Sequence, residues 1–87
     1  MCVGQATEVY TKEFEGLFSA LPSNVRRRVV FKIRDMGQRL PTFPHERLQG
    51  REEYRVRVGD YRVIYEFDVS RNEIYLITIG HRRDVYR

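Results

Sequence analysis

Three arginines, at positions 55, 57 and 62, fall within the stretch YRVRV-GD-YRVIYEF that runs from Tyr54 to Phe67. Two short runs of β-forming residues are joined there by Gly59-Asp60, a Gly-first connection that suits a type II′ turn. Side chains alternate along a strand, so a two-residue turn pairs Val58 with Tyr61, Arg57 with Arg62 and Arg55 with Ile64. Paired residues share a face. The three guanidinium groups therefore gather on one side of the hairpin, while Val56, Val58, Val63, Tyr65 and Phe67 take the other. Like charges directly opposite one another cost roughly 0.2–1 kcal/mol, and a hairpin needing only solubility would alternate its signs. The chemistry on offer is anion binding, above all of phosphate, whose oxygens a guanidinium fork grips in a bidentate way. The competing explanation is an ordinary solvated polar face.

Composition agrees with a polyanion partner. The 87 residues carry a net charge of +4, and among the cations only Lys12 and Lys32 are lysines. Such a chain favours nucleic acid, an acidic protein or an anionic surface. Eighty-seven residues suit one domain, residues 1–87, with a single modest core. Cys2 is the only cysteine and His45 and His81 are the only histidines, so neither a disulfide nor a familiar metal-ligand spacing is expected, and no cofactor is implied. No stretch reads as a membrane span or a leader, which suggests a soluble cytoplasmic protein without a membrane partner.

The elements that must hold the arginines follow from periodicity. Gln5 to Tyr10 is a weak strand candidate. Phe14, Leu17, Phe18 and Leu21 recur on one helix face, with Thr11 as its cap and Glu13 and Glu15 at its positive end. Leu21-Pro22-Ser23 breaks and restarts the chain, with Ser23 expected to cap a second helix reaching Leu40. Val25, Val29, Ile33, Met36 and Leu40 form its stripe, and Val30 widens it; Arg26, Arg27 and Arg28 fan around it into solvent. Residues 40–53 read as a loop pinned by Leu48 and Phe43, with nothing to mark His45 as a ligand. Ile74 to Ile79, apolar on both faces, should be interior to its sheet. The expected fold is α+β in two layers, a helical hairpin packed on one face of an antiparallel sheet of about four strands. The helices need the valine face, which leaves the arginine face open.

The order helix pair, RLQG, YRVRVGDYRVIYEF and a last strand ending in IGHRRDVY resembles the RelE/ParE superfamily of type II toxins, nearest its RelE branch, from about Thr7 to Tyr86. The resemblance implies a ribosome-dependent endoribonuclease that cuts mRNA in the A site without a metal, through attack of the 2′-hydroxyl on the neighbouring phosphate. It implies a cognate antitoxin, the ribosome and mRNA as partners. It also implies site residues: Arg57 and Arg62 at the transition-state charge, Arg82 at the leaving oxygen, Tyr86 stacking on a base, and Arg55 and His81 as substrate contacts. Well-studied RelE members carry Lys where this chain has Arg55 and Arg57, and arginine is too poor a base to take the hydroxyl proton. Glu66 and His81 are the candidates for that task, with ribosomal or substrate assistance as an alternative. A second function on the same fold is ParE-like inhibition of DNA gyrase without cleavage; a third is non-specific phosphate binding.

Overall fold

The computed structural model describes residues 4–81. Strand β1 (Thr7–Tyr10) leads into helices α1 (Lys12–Ser19) and α2 (Ser23–Gln38), then into β2 (Glu46–Arg47), β3 (Tyr54–Val58), β4 (Tyr61–Asp68) and β5 (Glu73–His81). The strands form one sheet in the order β1-β5-β4-β3-β2. β1 runs parallel to β5, and the remaining pairs are antiparallel. The two-layer α+β expectation is met, with five strands in a mixed sheet instead of about four antiparallel ones. The additional strand is β2, inside the stretch expected to be loop. Two residues are too few for a period, and only their pairing with β3 makes them a strand.

The β3–β4 register is the one the turn dictates: Val58 opposite Tyr61, Arg57 opposite Arg62, Arg55 opposite Ile64. Gly59 has φ +62°, while Asp60 is not among the described residues with positive φ. A type II′ turn needs that combination, and a type I′ turn would need both positive. Val58, Val63 and Tyr65 enter the core with Phe14 of α1 and Val29, Ile33 and Met36 of α2, so both helices lie on the valine side.

β5 is interior, as its apolar run suggests, but it is not regular. Ile64 pairs with Thr78 and Tyr65 with Leu76, which leaves Ile77 as an extra residue. This bulge resets the alternation, so Ile74 and Leu76 before it and Ile79 after it all reach the same core. Thr11 secures the bulge. Its hydroxyl accepts from the Phe14 amide at 3.1 Å as the α1 cap and donates to the Ile77 carbonyl at 2.7 Å.

Ser23 does not cap α2. Pro22 holds the cap position, Ser23 is already helical, and no side chain bonds there. Arg26 is not simply solvated either: its Nη1 donates to the Leu21 carbonyl at 2.7 Å and the Ser19 carbonyl at 3.3 Å, groups the end of α1 leaves without helical partners. Val30 stays 37% exposed at the rim of the helix pair instead of widening its buried stripe.

Thr11→Ala removes both the cap and the tie to the bulge and should lower unfolding free energy by about 1–2 kcal/mol. Thr11→Ser should restore most of it. Urea titrations of the three proteins check this.

Candidate active site on the arginine face

Residues of opposite parity on β3 and β4 place Arg55, Arg57 and Arg62 on the face away from the helices. Among the described residues no helix covers that face, because α1 and α2 both pack on the other one. Exposure nevertheless differs within the set. Arg57 is exposed, Arg55 is intermediate and Arg62 is only 9% exposed. The expectation of an open face therefore holds for Arg57 and fails for Arg62. Position in the sheet accounts for it: β4 is central, and Arg62 lies between Arg57 of β3 and Gly80 of β5.

A carboxylate joins this cluster from β2. Glu46 is directly opposite Arg55, whose Nη2 donates to Glu46 Oε2 at 2.7 Å. The Arg55 hydrogen bond is the main reason that the Glu46 carboxyl is held below the usual carboxylate range; Arg57 and Arg62 add to it through their charge. Arg55 is correspondingly held more firmly protonated by the same bond. Glu46 is thus ionised at neutral pH and sits in the field of all three arginines. Sequence reading missed it because β2 carries no pattern. The only available signal was an acidic residue close before the hairpin.

The expected proton acceptors are placed less favourably. Glu66 shares the face with Arg62 but lies four residues along β4, about 13 Å at strand rise. His81 is opposite Tyr61 on the helix side of the sheet, its ring 5.6 Å from the Tyr61 ring. The structure does not bring it to the arginines, and the bulge is the reason. Strict alternation from Leu76 would send position 81 to the arginine face; the extra residue sends it to the other. Arg82 and Tyr86 lie outside the described residues. Among the described residues no three metal-ligating side chains cluster, and no helix is long and apolar enough to cross a membrane.

A family model described as the ParE toxin of the type II toxin–antitoxin system parDE matches residues 7–86. The chain belongs to the RelE/ParE superfamily of type II toxins. The toxin's fold is similar to that of the Escherichia coli RelBE complex, with a TM-score of 0.75 at 18% identity over 87% of this chain and 95% of that one. For the Mycobacterium tuberculosis RelBE2 complex the TM-score is 0.73 at 23% identity, covering 92% and 94%. For the archaeal RelE–RelB complex of Pyrococcus horikoshii it is 0.72 at 26% identity, covering 93% and 99%. Among curated protein sequences none matches.

The toxin positions Glu46 through its neighbour. His45 precedes β2 and turns inward, where its ring stacks on Phe67 with centroids 3.8 Å apart and sits among Phe43, Tyr54 and Tyr65. Its Nε2 is 2.8 Å from the Leu40 carbonyl, which can only accept, so Nε2 carries the proton. In the neutral ring Nδ1 then accepts from the Tyr65 hydroxyl at 2.7 Å. Burial pushes the His45 pKa down, against a smaller opposing effect of the Leu40 carbonyl, and burial pushes the Tyr65 hydroxyl up. Both shifts favour this neutral pair. Both ring nitrogens are thereby engaged, and His45 anchors the chain ahead of β2.

A depressed imidazole pKa means that the folded toxin binds fewer protons than the unfolded chain. Stability should be level above the ordinary histidine range and fall as pH drops through it, until the folded ring itself protonates. Urea midpoints between neutral pH and about pH 5 should show this decline, and His45→Gln should flatten it.

Proposed function

We propose that the toxin is a ribosome-dependent endoribonuclease that cuts mRNA in the A site and is neutralised by a cognate antitoxin. What supports this is the meeting of Arg57 and Arg62 across one strand pair, with the ionised Glu46 beside them. A gyrase poison has no need for three cations and a carboxylate converging on one spot. Several of the RelE structures that share the fold are complexes with RelB antitoxins, in keeping with such a partner here.

The chemistry follows from the groups present. The scissile phosphate rests against Arg57 and Arg62, and Glu46 takes the proton of the adjacent 2′-hydroxyl. The freed oxygen attacks phosphorus and the bond to the 5′ oxygen breaks, leaving a 2′,3′-cyclic phosphate. Arg82 neutralises or protonates the departing oxygen, which ends as a 5′-hydroxyl. Charge accumulates on the phosphoryl oxygens in the transition state, where fixed guanidinium groups lower the barrier. Arg55 keeps Glu46 aimed and adds a substrate contact, while Tyr86 stacks on an unpaired base. His81 faces away from this chemistry and receives no part in it.

The family model's description favours a second function, ParE-like inhibition of DNA gyrase without cleavage. Purified toxin added to programmed ribosomes, with message 5′ ends mapped by primer extension, separates the two. Cuts inside codons that require ribosomes are expected, with gyrase supercoiling untouched. Intact message together with blocked supercoiling would transfer the toxin to the gyrase class.

Glu46→Gln should lower the single-turnover cutting rate by about 10²–10⁴-fold, the usual worth of a positioned base. Arg57→Ala should lower it by about 10²–10³-fold, the scale of one lost transition-state donor. Arg57 is exposed, so that variant should unfold at the wild-type midpoint. Arg62→Ala empties a buried site, and its thermal unfolding must be measured beside its activity. Because the Glu46 pKa is lowered, the acid limb of cutting should fall below the carboxylate range; a limb near about pH 6.5 would point to a histidine instead.

A further inference from the structure

The helical side carries a second concentration of positive charge, and it touches the first. Arg27, Arg28 and Lys32 of α2 line a recess of about 380 Å³ with Arg57 of β3 and the Gly59 turn, around the ring of Phe31. Arg27 and Phe31 are four residues apart, as are Arg28 and Lys32, so one face of α2 presents all four. Arg28 reaches the hairpin: a Cβ on Gly59 would stand 3.3 Å from its Nη1. Like charges at that helical spacing repel, and a face needing only solubility would place a carboxylate among them. Among the described residues, no carboxylate lies within ion-pair distance of Arg27, Arg28, Lys32 or Arg57. Phe31 meanwhile is 76% exposed.

The charge along the arginine face of the sheet restricts how a polyanion can leave the phosphate cluster. Along β4 from Arg62, the same parity brings Glu66 and then Asp68, with Glu73 of β5 directly opposite Asp68. Hydrogen bonds from the Ser70 hydroxyl and the Arg71 amide hold the Asp68 carboxyl below the usual carboxylate range. Phosphates running toward that end meet three carboxylates against the single cation of the 69–72 turn, Arg71. At the other end the strands turn at Gly59-Asp60, where Asp60 is the turn's one carboxylate, and beyond the turn stand Arg28 and Lys32. Arg57 lines the recess and also pairs with Arg62, so positive charge runs from one face to the other around the tip.

We propose that the recess is a second subsite for the message, in which a base flanking the scissile linkage stacks on Phe31. The strand passes from Arg62 and Arg57 around the hairpin tip, and Arg28 and Lys32 take the phosphate of the stacked nucleotide. The inference rests on the endoribonuclease reading above and adds a stretch of substrate which that reading leaves unheld. An aromatic ring among cations grips single-stranded RNA without reading its sequence, since every base offers a flat face. Arg57 holds the scissile phosphate and also borders the subsite, so an occupied subsite fixes the linkage against the cluster.

The test uses folded toxin, programmed ribosomes and messages that each lack one base near the cut, with an abasic ribose in its place. Removing the base at one position should slow wild-type cutting about tenfold, within the usual worth of a stacked base. Phe31→Leu should slow cutting of the intact message by the same factor and be indifferent to that abasic site, while Phe31→Trp keeps the wild-type pattern. All three proteins should unfold at one midpoint, because Phe31 is exposed. Phe31→Leu cutting at the wild-type rate would overturn the inference. So would an equal loss on intact and abasic messages, which would place Phe31 against something other than a message base. Should the toxin cut no RNA at all, a fluorescein-labelled oligouridylate titrated with free toxin decides the subsite. A Kd raised about tenfold by Phe31→Leu leaves the subsite standing while the nuclease reading falls; an unchanged Kd ends the subsite as well.

Discussion

The register of the β3–β4 ladder is set where Gly59 adopts φ +62°, a backbone state that costs an L side chain dearly and glycine almost nothing. From that one residue follows the pairing of Arg57 with Arg62, and from the pairing follows which face each side chain takes. A slip by one position would send the arginines into the core and Val63 and Tyr65 into water. Val63 and Tyr65 are fully buried against the helices, so the core enforces the register that the turn proposes. The burial of one face thereby holds together like charges on the other. Their repulsion is small beside the burial of several large apolar side chains, each worth roughly 1.5–3 kcal/mol.

The short strand β2 shows the same division of labour across a single peptide. Successive strand residues point to opposite faces, so an aromatic pocket that grips His45 also delivers Glu46 to Arg55. The imidazole is suited to the task because it bridges a carbonyl and a hydroxyl while stacking on Phe67. An apolar residue there would leave the Leu40 carbonyl and the Tyr65 hydroxyl without this partner. The link from packing to chemistry runs through that neighbouring residue.

What the sequence disclosed and what it hid divide along a physical line. The hairpin, its turn, the two helices and the interior strand were legible because each is written in local periodicity and turn chemistry. Three features depend on distant neighbours and were not. Glu46 joins the site only because β2 pairs with β3, a contact two residues cannot announce. For Arg62 alternation gives a direction and not a depth; its burial comes from the strands on either side. His81 turned to the other face because Ile77 interrupts the alternation, and an apolar strand with two hydrophobic sides carries no mark of where its bulge falls. The family resemblance supplied roles for basic residues but not for Glu46, since the relatives it invokes carry Lys at the positions of Arg55 and Arg57.

The two arginines of the central pair are mechanically unlike. Arg62 is enclosed by the sheet, so its guanidinium can be fixed ahead of any substrate, as preorganised charge requires. Arg57 stands exposed one residue from Val58 and two from Gly59, at a rim shared by both faces of the sheet. A ligand approaching from the helices can reach it without displacing anything on the arginine face. Fixed charge at Arg62 and accessible charge at Arg57 thus come from one cross-strand pair that spans the centre and the rim of the same sheet.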